Sequence, residues 1–299
     1  MLSGATAFFT SLLFLVWAAR LAHGSSSRRR LAVSAGVGAA LTPWLIPADA
    51  SVWRGGLAIW TTWCCGRVLD LTRDARGRPF RHRLWHVFAV IDSRQTTWAS
   101  PALEVVALGK VLIYTTFAIV GLAIVIDVAP RATGGWYWFV RWTGGALFFY
   151  CLADAVEGGV RALYRAAGVV VPRQHLIPIA SRSVQEFWGK RWNRVVGSWL
   201  RAHCFLPFAR EGHVRAGLVA AFCASAAFHA YFTLVAVGWA MAVAMIVFFL
   251  IQGAFVLFEL RMGVARWQPA LARVWTVVAV LGCSPLFVEP ILRILLGEI

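Results

Sequence analysis

Ser181–Cys204 has the sequence SRSVQEFWGKRWNRVVGSWLRAHC and is a polar stretch in an otherwise largely apolar chain. We call it the motif segment. Its periodicity predicts one continuous helix from about Val184, with two faces that differ in chemistry. Three tryptophans share one face of that helix, at i, i+4 and i+11: Trp188, Trp192 and Trp199. Three cations have the same spacing and lie ~200° away: Lys190, Arg194 and Arg201.

A helix with an indole face and a cationic face is typical of a membrane interface. Indole rings favour the depth of the lipid headgroups, and cations contact the lipid phosphates. The same pattern also fits a solvated helix beside the membrane that only sets the topology of the chain. The pattern alone leaves both interpretations open.

The composition places the chain in the membrane class. Hydrophobic residues make up 60% of the 299 residues and charged residues 14%, which excludes an ordinary soluble domain. The net charge of +16 comes almost wholly from arginine, since lysine occurs only as Lys110 and Lys190. A nucleic-acid-binding protein would be less apolar, so no nucleic-acid partner is predicted. The arginines are better explained as cytoplasmic-side anchors that also attract a polyanionic substrate such as a CoA ester.

The distribution of apolar segments predicts an all-α fold, a polytopic transmembrane bundle of about eight helices. In chain order the segments are Ala5–Leu21, Leu31–Ile46, Gly55–Leu71, Leu103–Val128, Trp136–Tyr164, Val214–Leu234, Val237–Phe258 and Leu271–Leu295. Pro285 and Pro290 are expected to kink the last segment. Arginine-rich and arginine-poor loops alternate, so the positive-inside rule places the motif region, residues 172–210, on the cytoplasmic side. We expect residues 1–299 to form a single integral membrane domain.

Two of the predicted loops are basic, namely Ser25–Arg30 and Thr72–Ser100. In the second loop His82 and His86 have i, i+4 spacing and would share a helical face. Two histidines alone are a weak metal signal, so we expect solvated interfacial residues and predict no metal site.

The six cysteines include no CxxC pair and are expected to be reduced, buried thiols. Cys204 and Cys223 flank the most polar chemistry of the chain. Because no neighbour in the sequence clearly activates either thiol, an acyl-enzyme mechanism is disfavoured.

His229 is the residue that points most directly to chemistry. It lies about 15 residues after Val214, or ~22 Å along a helix, well inside the bilayer. An ionisable group at that depth needs a partner or a water-filled cavity, and it is therefore a functional candidate. A neutral histidine hydrogen-bonded to a facing helix is the alternative. Asp154 and Glu157 also lie in an apolar segment, where structural pairing with Arg161 or Lys110 is favoured over a role in orienting His229.

The string Glu186–Asn193, EFWGKRWN, followed by a lone histidine in an apolar segment, resembles the wax synthase branch of the membrane-bound O-acyltransferase family. Weaker resemblance extends to Arg54–Asp70, Phe248–Glu259 and Trp275–Pro290. The chain departs from the family pattern at Ser225–Ala230, SAAFHA, where alanines stand beside the histidine in place of a glycine and a glutamate.

The resemblance implies a fold like that of the family and a direct transfer of an acyl group from acyl-CoA to a lipophilic alcohol. It implies that His229 is the general base and Asn193 a second functional residue. It also implies a substrate-binding group within the motif: Trp188, Lys190, Arg191, Trp192 and Arg194. No cofactor is expected beyond acyl-CoA as co-substrate, and the lipid bilayer is the other partner.

Three hypotheses follow, and the leading one is a wax ester synthase-like O-acyltransferase. A variant of it is acetyl transfer to a terpenoid or sterol alcohol. The alternative from another class is a small transporter or flippase that uses Asp154, Glu157 and His229 as a relay within the membrane. A non-catalytic membrane scaffold is the third hypothesis, and it would require neither Asn193 nor His229.

Overall fold

The computed structural model describes residues 3–74 and 76–298, and 80% of the structure is helical. The α-helices are α1 Gly4–Leu21, α2 Ser26–Leu41, α3 Ser51–Arg73, α4 Phe80–Phe88, α5 Val105–Ala123, α6 Gly135–Ala166, α7 Val184–Glu186, α8 Arg194–Leu200, α9 Leu206–Ala209, α10 Val214–Val237, α11 Trp239–Met262, α12 Pro269–Gly282 and α13 Pro285–Leu296. Two short antiparallel strands, β1 Thr97–Trp98 and β2 Val169–Val170, are the strands of the described chain. The all-α class predicted from the sequence is confirmed.

Helices long and apolar enough to cross a membrane identify the chain as an integral, multi-pass membrane protein. Among the described residues, four such spans occur: Gly4–Leu21, Val105–Arg131, Val214–Val237 and Trp239–Met262. A fifth is added if α12 and α13, which meet at a bend of 42°, form one span. The predicted number of about eight is not confirmed, because α2 is too short and α3 and α6 are not apolar enough to count as spans.

The predicted segments overlap the long helices, and the structure corrects them in three places. The prediction of a loop at Ser25–Arg30 is wrong, because α2 already begins at Ser26. The hydroxyl oxygen of Ser25 accepts the Arg28 N–H at 3.4 Å and caps this helix. The loop Thr72–Ser100 is likewise interrupted by α4. The last segment breaks after Gly282 and restarts at Pro285, where proline suits the first turn of a helix.

The chain divides into two compact units. The first contains Met1–Arg94, Phe228–Val243 and Pro290–Ile299, and the second contains Gln95–Ala227 and Ala244–Glu289. The core of the first unit is rich in small residues, which let helix backbones approach closely. Its buried members are Leu15, Ala18, Ala19 and Ala22 from α1 and its end, Ala32, Ala35 and Ala39 from α2, Cys64, Val68 and Leu71 from α3, and Val87 from α4.

The first unit also holds a buried ionic network, which corrects the prediction for His86. His82 is exposed, as expected, but His86 is 2% exposed. The His86 Nδ1 atom lies 2.7 Å from Ser93 Oγ, and its Nε2 lies 3.3 Å from Asp70 Oδ2. Helix α4 packs on α3, and this contact brings His86 beside Asp70. The spacing of the two residues in the sequence does not reveal it.

Arg94 completes this network from the other side. Its NH2 group donates to Asp70 Oδ2 at 3.2 Å and to Asp92 Oδ2 at 2.8 Å. Burial raises the pKa of Asp92, but hydrogen bonds from the side chain and backbone of Arg94 outweigh it and hold that pKa below its usual range. The cluster therefore keeps its charges paired inside the protein.

The second unit is built around α5 and α6, which approach almost to backbone contact. A Cβ atom at Gly121 would lie 2.6 Å from the backbone nitrogen of Phe148, and one at Gly144 would lie 2.6 Å from Ile124 Cγ2. These two glycines are required by the packing, because any side chain there would separate the helices. The same unit contains a buried ion pair between Arg141 of α6 and Glu289 of α13.

Breaking the Arg141–Glu289 pair should destabilise the protein strongly. Arg141 is 3% exposed and Glu289 9%, the Arg141 Nε to Glu289 Oε2 distance is 3.0 Å, and Trp142 Nε1 donates to the same oxygen at 3.2 Å. Glu289→Ala removes the carboxylate that pairs with a buried cation, so we expect a loss of about 3–5 kcal/mol in the free energy of unfolding. Denaturant unfolding in detergent micelles measures this.

Two further variants calibrate the Glu289→Ala result. Glu211→Ala removes an exposed acid and should change little. The double variant Arg141→Met with Glu289→Leu removes both charges and should recover most of the loss. A double variant as unstable as Glu289→Ala would contradict this account.

Candidate functional site

The motif segment is not one continuous helix, so the predicted tryptophan and cationic faces are wrong. Helix α7 passes into a π-helical turn at Phe187–Arg191, and the chain then leaves the helix at Trp192, which is extended with φ −100° and ψ 133°. Asn193 follows in the left-handed region, with φ 37°. A new helix, α8, begins at Arg194. Residues before and after this break therefore have no common helical face.

The start of the motif is held by two carboxylates. The Ser183 hydroxyl oxygen accepts the Glu186 N–H at 2.9 Å, and Glu186 Oε2 accepts the Arg182 N–H at 2.7 Å, which together resemble a capping box. The buried Glu259 of α11 accepts the N–H groups of Val184 at 2.6 Å and Gln185 at 2.9 Å. Acidic groups are favourable at a helix start because free N–H groups point toward them.

Trp188 anchors the motif in the core of the second unit. Its Nε1 donates to Gln252 Oε1 at 3.0 Å, and Gln252 is fully buried. The Gln252 Nε2 group in turn donates to the Ala279 carbonyl at 3.1 Å. Three phenylalanine rings surround the indole: Phe222, Phe248 and Phe249. These contacts give Trp188 a structural task, and a substrate contact of this residue stays a prediction.

Arg191 and Arg194 tie the motif to the loop before it. Arg191 NH1 donates to the Leu176 carbonyl at 2.8 Å, and Arg194 NH1 donates to the Arg173 carbonyl at 3.0 Å. Arg191 Nε also donates to Glu186 Oε1 at 2.7 Å. Burial raises the pKa of Glu186, but the bonds from Arg182 and Arg191 outweigh it and lower that pKa overall. Two of the predicted substrate-binding cations thus bind protein carbonyls.

Lys190 and Arg201 are exposed, as Arg194 is, but the Arg194 guanidinium is held by the Arg173 carbonyl. The Arg201 guanidinium lies 5.6 Å from the centre of the Phe205 ring, a cation–π contact that leaves its charge at the surface. Of the predicted cations, these two are the better placed to meet a ligand phosphate from solution.

Asn193 caps the helix that follows it. Its Oδ1 accepts the Val196 N–H at 3.4 Å, and asparagine tolerates the left-handed backbone better than most residues. The residue is exposed. Since the side-chain oxygen faces its own helix, a substrate contact of Asn193 would use the amide N–H2 group.

Trp192 joins the motif to a histidine that sequence reasoning missed. The ring of Trp192 stacks on Phe187 at 5.6 Å and 11° and on His175 at 4.6 Å and 20°. Tyr150 of α6 stacks on Trp192 at 6.2 Å and 25°. The signal available in the sequence was a histidine between Pro172 and Pro178, close before the motif, but no spacing rule connects it to Trp192.

His175 lies beside Asp154 of α6. The His175 Nδ1 to Asp154 Oδ1 distance is 3.3 Å, and the two side chains are 7% and 13% exposed. The neighbouring Glu157 accepts the Gln174 N–H at 3.0 Å and lies 3.9 Å from Arg161, which also contacts Glu104. Structural pairing of Glu157 with Arg161 was predicted, whereas the histidine partner of Asp154 was not.

His229 lies in the middle of the 24-residue helix α10 and is half-buried. The ring packs against Phe228 at 5.1 Å and Phe232 at 5.5 Å, and its backbone carbonyl accepts the Thr233 hydroxyl at 2.7 Å. It belongs to the first unit, whereas the motif segment belongs to the second. The six cysteines are free thiols, and Cys223, predicted to be buried, is exposed.

Comparisons with known proteins add no assignment. No protein-family model matches the chain, and no curated protein matches its sequence. Among residues 3–74 and 76–298, no group of three potential ligands is placed to hold a metal ion. The function proposed below therefore depends on individual residues and their surroundings.

Substitutions at Asn193 should distinguish two contributions to stability, namely its left-handed backbone conformation and its capping hydrogen bond. Asn193→Gly keeps a residue that accepts φ 37° and loses only the cap, at a cost of a few tenths of a kcal/mol. Asn193→Ala adds left-handed strain of about 1–2 kcal/mol. Hydrogen exchange of the α8 amides measures both costs.

Arg182→Ala, an exposed change in the same segment, is the matched control for the Asn193 variants and should leave exchange unchanged. Equal destabilisation by glycine and alanine at position 193 would show that the backbone conformation is not the constraint.

Proposed function

We propose that the protein is a multi-pass membrane O-acyltransferase that transfers an acyl group from acyl-CoA to the hydroxyl of a lipophilic alcohol, in the manner of a wax synthase. The observation that carries the proposal is His229. It is an ionisable side chain within an apolar helix, eight residues from its end, and that helix is long enough to cross a membrane. Such residues are rare and are retained for function.

The surroundings of His229 support a general base. Small residues precede it at Ala224, Ser225, Ala226 and Ala227, which allows a ligand to approach the helix closely. Its aromatic neighbours Phe228 and Phe232 make the site apolar on one side. The imidazole can accept a proton from an alcohol within hydrogen-bond reach, and an apolar site limits hydrolysis of the thioester by water.

The proposed reaction is a direct transfer of the acyl group from the thioester to the alcohol. The alcohol oxygen attacks the thioester carbonyl while the imidazole of His229 takes the hydroxyl proton. The C–S bond then breaks, the ester forms, and the CoA thiolate leaves with the proton that the His229 imidazolium returns. No acyl-enzyme is required, so the free thiols Cys204 and Cys223 have no assigned role.

The motif segment is the proposed contact for the CoA end of the donor, on the cytoplasmic side. The exposed cations Lys190 and Arg201 are available to phosphates, and the surrounding region is strongly basic. In this proposal Trp188, Trp192, Arg191 and Arg194 contribute by holding the segment in shape, because their polar groups and rings contact other parts of the second unit.

Removal of the proposed base should abolish turnover without unfolding the protein. For purified protein with labelled acyl-CoA and a panel of long-chain, terpenoid and sterol alcohols, we expect His229→Ala to lower kcat by ~10²–10⁴-fold. His229→Gln keeps a polar group of similar size but no basic nitrogen, and it should be nearly as inactive. The preferred alcohol in the panel distinguishes wax ester synthesis from acetylation of a terpenoid or sterol.

His213→Ala, an exposed histidine just before α10, is the matched control and should retain activity. An active His229→Ala protein beside an inactive Cys223→Ala protein would mean that a thiol is the nucleophile. If the folded wild-type protein makes no ester from any donor and acceptor pair, the transporter hypothesis becomes the better one.

The effect of the exposed cations on the KM for acyl-CoA should depend on salt concentration. Replacing Lys190 and Arg201 by glutamine removes two exposed cations, and we expect the KM for acyl-CoA to rise several-fold at low ionic strength. The difference from wild type should shrink above ~0.5 M salt, where exposed charges are screened. Steady-state kinetics at two salt concentrations measure it.

Arg182→Gln removes an exposed charge from the same segment and is the matched control for the Lys190 and Arg201 changes. A KM that stays at the wild-type value at low salt would show that these cations serve only the lipid surface.

A further inference from the structure

A small polar cavity lies between α5, α6 and the loop before the motif. Its volume is about 40 Å³. Helix α5 contributes Ala107, Lys110 and Tyr114, helix α6 contributes Asp154, Glu157, Gly158 and Arg161, and the loop contributes Arg173, His175 and Ile177. All of these residues belong to the second unit. A cavity of this size has room for about three water molecules.

Within the cavity, His175 is an incompletely bonded side chain. It is 7% exposed, and its Nδ1 has no hydrogen-bond partner in the described part of the chain, although Asp154 Oδ1 lies 3.3 Å away. A buried nitrogen without a hydrogen bond destabilises the folded protein. A ligand that bonds to this nitrogen would explain why it is kept.

The surrounding structure prevents His175 from turning to find another partner. Its ring is stacked on Trp192 at 4.6 Å. The backbone on both sides is fixed, because the Gln174 N–H binds Glu157 and the Leu176 N–H donates to the Arg191 carbonyl at 2.9 Å. Trp192 therefore fixes the orientation of the His175 imidazole.

The charges of the lining decide which ligand fits. Arg161 already contacts Glu104 and Glu157, and Lys110 and Arg173 are exposed at the rim. The interior thus offers an imidazole and the Asp154 carboxylate. A hydroxyl group donates to one of these and accepts from the other, whereas an anion would be repelled by the carboxylate.

The size of the cavity also favours a hydroxyl group over a phosphate. A terminal –CH2OH group has two heavy atoms and fits a space of three waters, whereas a phosphate with five heavy atoms does not. The apolar side chains of Ala107 and Ile177 also line the cavity and suit the first carbons of a chain.

We propose that this cavity binds the hydroxyl end of a lipophilic alcohol, held by hydrogen bonds to His175 and Asp154. The identification of that alcohol as the acceptor rests on the proposed acyltransferase function. The cavity would then hold the hydroxyl before transfer, because its lining residues do not include His229. The binding itself does not, because it follows from the unbonded imidazole, the adjacent carboxylate and the volume.

The test is photolabelling of the full-length protein in lipid nanodiscs with hexadecanol that carries a diazirine beside the hydroxyl end. Mass spectrometry should find the label on α5, α6 or the loop at 172–177. Hexadecanol should compete for labelling, whereas hexadecyl methyl ether, which has no O–H donor, should compete about tenfold less well.

Three variants make the test specific to the cavity. His175→Phe keeps a ring to stack on Trp192 but removes the nitrogens, Asp154→Asn removes the charge, and Ala107→Leu fills the space. Each should lower competition by hexadecanol about tenfold. His82→Phe changes an exposed histidine of the first unit and should have no effect.

Each outcome is decisive. Labelling that is absent from these elements, equal competition by alcohol and ether, or unchanged binding in the folded His175→Phe and Ala107→Leu proteins overturns the proposal. Ester formation by His175→Phe with an unchanged KM for the alcohol overturns the acceptor assignment and leaves the acyltransferase function standing. Specific labelling of a wild-type protein that makes no ester supports the binding site and removes the function.

Discussion

The stack of Phe187, Trp192 and His175 is the interaction on which the motif segment depends. The three rings are nearly parallel, and they join the end of α7 to the loop that precedes it. With Trp192 held in this stack, the chain leaves the helix and Asn193 takes a left-handed backbone. Arg191 and Arg194, on either side of the break, then reach the carbonyls of the same loop.

The requirement that buried polar groups find partners shapes both units. In the second unit, the buried Glu259 accepts hydrogen bonds from the first N–H groups of α7. The buried Gln252 accepts one from the Trp188 indole. In the first unit, Asp70 and Asp92 are satisfied by Arg94 and by the other members of the network. An apolar environment makes each such bond costly to lose, so these partners determine where the polar segments lie.

These findings divide the predicted site residues into two groups. Trp188, Arg191, Trp192 and Arg194 contribute to the shape of the motif, while Lys190 and Arg201 remain at the surface. Asn193 has a capping task that is compatible with a further contact through its amide nitrogen. The proposed chemistry is then assigned to His229, and the proposed recognition of a hydroxyl to His175 and Asp154.

The sequence by itself determined the helical class and the approximate positions of the long helices, because apolar periodicity and proline act over a few residues. It also singled out His229, since a lone ionisable residue in an apolar stretch is visible without a structure. The predicted number of spans was not confirmed, because charged and polar residues lower the apolar character of α3 and α6.

Only the tertiary structure decided the break at Asn193, the burial of His86 and the neighbour of Asp154. Each depends on a contact between elements: a ring stack for the break, a hydrogen bond to Asp70 for His86, and the fixed position of His175 for Asp154. Local periodicity predicted a continuous helix through the motif, and the stacking and carbonyl contacts outweigh that preference. Sequence spacing carries no record of such partners, because they are distant along the chain and meet only when it folds.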